Sequence, residues 1–120
     1  NHRRISPTMK GSEAEQIAAA YLQHQHLVLI ARNYRCRFGE IDLIMRDGDT
    51  VVFVEVRMRT HEMFGGAAAS ITPSKQAKLL HTARHYLAAL PDDAPCRFDA
   101  LLLTGTNGEH IEWIKNAFGE

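Results

Sequence analysis

Apolar residues recur along the chain with two different periods, and the change of period divides it into elements. Ala14, Ile17, Ala18, Tyr21 and Leu22 return at helical spacing, which predicts an amphipathic helix from Gly11 to about His26 with Ser12 as N-cap. At about 100° per residue, Glu15 falls beside Leu22 on the margin of the apolar stripe, where a helix can lend a carboxylate to a cleft. The segment LVLIARNYRC, residues 27–36, is aliphatic and β-branched and reads as a strand with a break near Arg32 and Asn33. Next, GEIDLIMRDGDTVVFVEVRMR holds two apolar runs around Asp47-Gly48, a strong hairpin signal.

HEMFGGAAASI is too small and glycine-rich for an element and reads as a loop. Thr72-Pro73 announces a second helix, with threonine at the cap and proline in the first turn, where its missing N–H costs nothing. That helix is expected to run to about Ala89 with Ala77, Leu80, Ala83 and Leu87 facing inward, and to end before Pro91. Arg97 to Thr104 is a nearly continuous apolar strand, and after a turn at Asn107-Gly108 the chain returns as a short edge strand, His110 to Ile114. The order α, three strands, α, then one or two strands predicts an α/β fold with a mixed central sheet flanked by helices.

Composition narrows this little. A chain of 120 residues, 45% hydrophobic and 23% charged, is expected to form one globular domain over residues 1–120, with 1–10 a flexible or vector-derived tail. Cys36 and Cys96 lie far apart and outside any CxxC spacing, which suggests reduced thiols of a cytoplasmic protein rather than a disulfide framework or zinc site. No apolar run approaches a membrane span, and NHRRISPTMK lacks the apolar core of a signal peptide. A formal net charge of zero argues against coating nucleic acid through bulk charge. The basic residues nevertheless cluster at Arg3, Arg4 and Lys10, at Arg32, Arg35 and Arg37, and at Arg57 and Arg59, so a local basic surface survives the neutral total.

The chemistry concentrates in the hairpin, where Asp42 and Glu55 interrupt apolar strands. Side chains alternate along a strand, so Glu40, Asp42 and Ile44 share one face and Phe53, Glu55 and Arg57 share one face of the partner. A two-residue loop at Asp47-Gly48 would set Asp42 opposite Phe53 and diagonal to Glu55. A loop at Gly48-Asp49 would set Asp42 directly opposite Glu55. Both keep the two carboxylates and Arg57 on one face. Carboxylates a few ångströms apart repel unless a cation lies between them. Hard oxygen donors of this kind suit Mg²⁺ or Mn²⁺, which can activate water and neutralise a phosphate. The plain alternative is a solvated face, or ion pairs with Arg35, Arg37 or Arg57.

Asp42 followed by Glu55-Val56-Arg57 resembles the PD-(D/E)XK nuclease signature. The blocks GEIDLIMRDG, VVFVEVRMR, GGAAASITPSKQAKLL and CRFDALLLTG together closely resemble the YraN family, bacterial proteins similar to archaeal Holliday-junction resolvases. The resemblance extends from GSEAE to EWIKNAF and implies a restriction-endonuclease-like core of α-β-β-β-α-β order, acting on DNA, with branched or junction DNA as a candidate substrate and a homodimer as a candidate assembly. It assigns Asp42 and Glu55 to a metal ion, with the backbone carbonyl of Val56 beside them. Glu15 would be the first-helix acid, with Glu13 its near neighbour, and Glu40 would sit at the near end of the same face. Lys75 and Gln76 would begin the second helix beside the site, while Arg35, Arg37 and Arg59 would bind substrate.

Arg57 departs from the pattern, which has lysine there. Arginine does not surrender its proton and cannot be a general base, but it can clamp a phosphate with two hydrogen bonds. Activation of the attacking water would then fall to the ion, or to Lys75. The rival expectation is a nucleic-acid-binding or protein-interaction module that kept the nuclease fold.

Other residues read more plainly. His81 and His85 stand at i and i+4, a spacing that can bind zinc, but no third ligand accompanies them and a solvated face is the simpler reading. Gly65 and Gly66 could let a nucleic-acid backbone approach or could simply pack against the sheet. Asp99 is expected to pair with Arg97, and Trp113 to pack on an edge strand.

Overall fold

The computed structural model describes residues 11–59, 71–105 and 109–118. Within them the order is α1 (Gly11–His24), β1 (Val28–Cys36), β2 (Gly39–Asp47), β3 (Thr50–Arg59), α2 (Pro73–Ala88), β4 (Cys96–Thr104) and β5 (His110–Phe118). The strands form one sheet in the order β1-β2-β3-β4-β5, with β3 and β4 parallel and the other neighbours antiparallel. This is the mixed sheet with flanking helices that the periodicities predict.

Alternation along the strands divides the core in two. Leu43, Met45, Val52, Val54, Leu101 and Leu103 pack under α1, against Ala14, Ala18, Ala19 and Leu22. Ile44, Val51, Phe53, Phe98, Ala100 and Leu102 point the other way, toward Leu79 and Ala83 of α2. The central strands are therefore buried on both faces, which explains their nearly continuous apolar runs. No helix among the described residues is long and apolar enough to cross a membrane.

Several boundaries differ from expectation. α1 begins at Gly11 and ends at His24, so Ser12 lies inside the first turn rather than capping it. In α2, Ala83 is buried and Leu80 and Leu87 pack partly buried against the core as expected, but Leu79 and Thr82 are buried as well and Ala77 is exposed. Thr82 is tolerated there because its hydroxyl donates to the Lys78 carbonyl at 2.8 Å, so no polar group is left unpaired. Gly39 approaches so closely that a Cβ on it would stand 3.1 Å from Thr82 Oγ1.

β5 runs to Phe118, well past Ile114. It bends at Asn116, whose φ of 56° accompanies a register irregularity between Phe98 and Ala100. Fully buried Asp99 sustains the bend, accepting hydrogen bonds from Asn116 N and Trp113 Nε1, each at 2.9 Å, and from Arg97 Nε at 3.0 Å. The loop read in HEMFGGAAASI, with Gly65 and Gly66, falls outside the described residues except for Ile71, which is buried beneath α2. The Asn107-Gly108 turn also lies outside them.

Candidate active site

The β2–β3 hairpin closes through Gly48-Asp49, with Asp47 paired to Thr50. Only Gly48 of the two loop residues has positive φ, 61°, the backbone pattern of a type II′ turn. Of the two loops open to the sequence, this is the one that sets Asp42 directly opposite Glu55. The ladder, however, stops one pair short, at Leu43 and Val54. From there β2 continues only with β1, to Gly39, while β3 continues only with β4, to Arg59. The sheet forks between Asp42 and Glu55, and Asp42 Oδ2 accepts the Val56 N–H at 2.9 Å where a backbone carbonyl would otherwise be expected.

Glu55 is 4% exposed at the floor of this fork. Its Oε2 lies 3.2 Å from Lys75 Nζ and 3.4 Å from Arg57 Nε. Lys75 reaches it because α2 starts immediately before: Thr72 caps the helix by accepting the Lys75 N–H at 3.2 Å. Arg57 Nε is close enough to Glu55 for charge attraction but not aligned for a hydrogen bond, so this buried N–H has no hydrogen-bond partner. Such a donor beside an acid pair is a natural contact for a phosphate oxygen.

Burial first, and then the neighbouring charge of Glu55, push the Asp42 carboxyl up to about 6, with the Val56 N–H and Lys75 opposing. The two side chains are within hydrogen-bonding reach. Glu15 also lies near: burial raises its pKa, a hydrogen bond with Asn33 lowers it, and the charge of Asp42 raises it. Asn33 holds φ at 53°, the expected break in β1, and Glu15 engages it rather than joining the acid pair.

The donor set fits Mg²⁺ or Mn²⁺ in a restricted sense. Two adjacent carboxylates are hard oxygen ligands, and Mg²⁺ commonly binds through one or two carboxylates while keeping several waters. Among the described residues no group of three or more His, Cys, Asp or Glu side chains could hold an ion together. The protein's share of a coordination shell would therefore come from Asp42 and Glu55, with the peptide of Val56 adjacent.

The remaining candidates divide. Arg35 Nε pairs with Glu40 Oε2 at 3.2 Å on the surface, and the Arg37 guanidinium lies 4.9 Å over the Phe38 ring. Gln76 turns its amide back to the Ile71 carbonyl at 2.9 Å, so it secures the start of α2 rather than reaching into the fork. The side chain of Arg59 is outside the described residues. His81 and His85 are exposed, as expected, but engaged: His81 stacks on Phe38, and His85 Nδ1 lies 2.7 Å from the Tyr34 hydroxyl. Sequence reading overlooked Phe38 and Lys78. The signal for Lys78 was present, since Lys75, Lys78, His81 and His85 recur along one helical face.

A family model described as "Uncharacterised protein family UPF0102" matches residues 14–103. A UPF0102 protein of Nitrosomonas europaea is 68% identical over 111 residues, covering 92% of this chain and 94% of the relative. A UPF0102 protein of Nitrosospira multiformis is 63% identical over 110 residues, 92% of each chain. One from Psychromonas ingrahamii is 55% identical over 111 residues, 92% of this chain and 90% of its own.

Proposed function

Because the chain belongs to the uncharacterised family UPF0102, the YraN family, its chemistry must be read from the fork, and we propose a metal-dependent DNA endonuclease that hydrolyses phosphodiesters, with branched DNA as the candidate substrate. The observation that carries this reading is the opposed pair of Asp42 and buried Glu55, with an unsatisfied Arg57 Nε–H beside them. Asp42 and Glu55 would hold Mg²⁺ or Mn²⁺, with the Val56 carbonyl next to them. When bound, the ion supplies charge neutralisation at the phosphate and makes water more acidic.

The protein's own groups have separate tasks. Arg57 binds a phosphate oxygen and offsets charge that develops on it. Lys75, whose Nζ lies 3.2 Å from Glu55 Oε2, would orient the attacking water. The Val56 N–H fixes one oxygen of Asp42, so the other is presented in a defined direction. The test compares wild type with Asp42→Asn on branched and linear DNA, with Mg²⁺ or Mn²⁺. Wild type is expected to cleave and the variant to lose activity; equal cleavage by both would assign any activity to something else.

A second reading is favoured by the cation contacts of Glu55, since Lys75 and Arg57 already compensate its charge without a metal. In that case the domain binds nucleic acid without cutting it. Thermal melting with Mn²⁺ discriminates, because an ion that binds only the folded state raises the melting temperature. An unchanged melting curve together with salt-sensitive DNA binding selects the binding module.

A further inference from the structure

The β1–β2 loop consists of two residues, Arg37 and Phe38, between the paired Cys36 and Gly39. Two-residue loops favour Gly, Asn or Asp for their backbone freedom. Arg37 and Phe38 supply none of that, and Phe38 is 37% exposed. Its ring is stacked on His81 at 5.7 Å and 27°, and meets the edge of His85 at 6.1 Å. His85 is itself held by Tyr34, whose hydroxyl lies 2.7 Å from Nδ1. An aromatic ring is thus fixed at the surface, facing solvent, with a guanidinium 4.9 Å from its centroid.

Position adds a second observation. Phe38 lies four residues from Asp42 along the chain, about 13 Å at strand spacing, or roughly four nucleotides at stacked spacing. The face of α2 between them carries Lys75 and Lys78, both on the side that meets β2 and β3: Lys75 contacts Glu55, and Lys78 lies against Gly39. With Arg37 at the loop, cations run from the aromatic ring to the acid pair. Phosphates need the cations, and a base needs the ring.

We propose that Phe38, backed by His81 and flanked by Arg37, is a stacking site for an unpaired base of a DNA strand whose backbone follows Lys78 and Lys75 into the fork. The inference rests on the reading of the fork as a phosphodiester site and specifies what that site receives: a strand with at least one unstacked base. A surface cation–π contact is weaker than base–aromatic stacking, so an incoming base can replace the Arg37 guanidinium on the ring. A paired base inside a duplex offers no free face to stack.

The test is binding, measured by fluorescence anisotropy in chelator so that no cleavage enters, with labelled oligothymidine, an abasic strand of equal length, and a duplex. Wild type is expected to prefer oligothymidine to the abasic strand. Phe38→Ala and Phe38→Leu should each weaken oligothymidine binding by about five- to a hundred-fold and leave abasic binding unchanged. Leucine retains apolar packing on His81, so a merely structural role would be rescued by it. Equal affinity of wild type for thymidine and abasic strands, or an unchanged affinity in Phe38→Leu, overturns the proposal. Failure of the endonuclease reading would instead appear as metal-dependent cleavage being absent while this binding persists.

Discussion

At Asp42 two demands oppose each other: burial and Glu55 favour the protonated acid, whereas a metal ligand must be ionised. The folded-state pKa of about 6 lies above the ordinary 3.8. The stability that this protonation contributes is therefore fully present below pH 3.8 and is lost as pH rises through about 6. Two pKa units correspond to about 3 kcal/mol. Asp42→Asn should flatten this part of the pH–stability curve and be more stable than wild type near neutrality, by roughly that amount, as read from urea unfolding across the range. Bound Mn²⁺ should reverse the order, stabilising wild type but not the variant. Arg57 gives a kinetic counterpart. If cleavage is observed, Arg57→Lys should retain it, and Arg57→Met should lower the rate by about 10²–10³-fold, the scale of one lost transition-state donor. Lys75→Met leaves Glu55 with Arg57 alone and should cost about 1–2 kcal/mol, below the usual value for breaking a buried pair because Lys75 is partly exposed.

The strands and helices explain how much of this was legible in advance. Alternation located the hairpin and its two carboxylates, and Thr72-Pro73 located the start of α2, because both are local rules. The loop alternatives were not resolved by pattern, since Asp47-Gly48 and Gly48-Asp49 both satisfy turn chemistry. The choice between them sets which residues oppose Asp42. The forking of the ladder was illegible because it depends on β2 following β1 and β3 following β4 beyond Leu43 and Val54, which no local pattern encodes. Leu80, Ala83 and Leu87 pack against the core as their spacing predicts, whereas Thr82 was illegible as an inward residue because it looks polar, while its hydroxyl is satisfied within its own helix. β5 was read too short because its continuation depends on Asp99, a distant acid that holds the bend at Asn116. Asp99→Ala would strand those donors and should cost about 3–5 kcal/mol in urea unfolding. Gly39→Ala brings a methyl to 3.1 Å from Thr82 Oγ1 at a φ of 151°, and should destabilise by about 1–3 kcal/mol through strain between β2 and α2.

For the whole molecule, the distribution of charge matters more than its sum. The formal net charge is zero, yet Arg37, Lys78, Lys75 and Arg57 lie between the β1–β2 loop and the fork. If about four of them contact phosphates, the logarithm of single-strand affinity should fall against the logarithm of salt concentration with a slope of about −3. A flat salt dependence in a titration series would show that these cations do not track the strand. The two outer strands impose a further property on the molecule. β1 carries a register shift between Leu29 and Ala31 and a left-handed Asn33, and β5 bends at Asn116. An irregular margin is a poor template for another chain. Exposed Val28 and Ile30 therefore sit on a margin that is poorly shaped to pair with the edge of a second sheet.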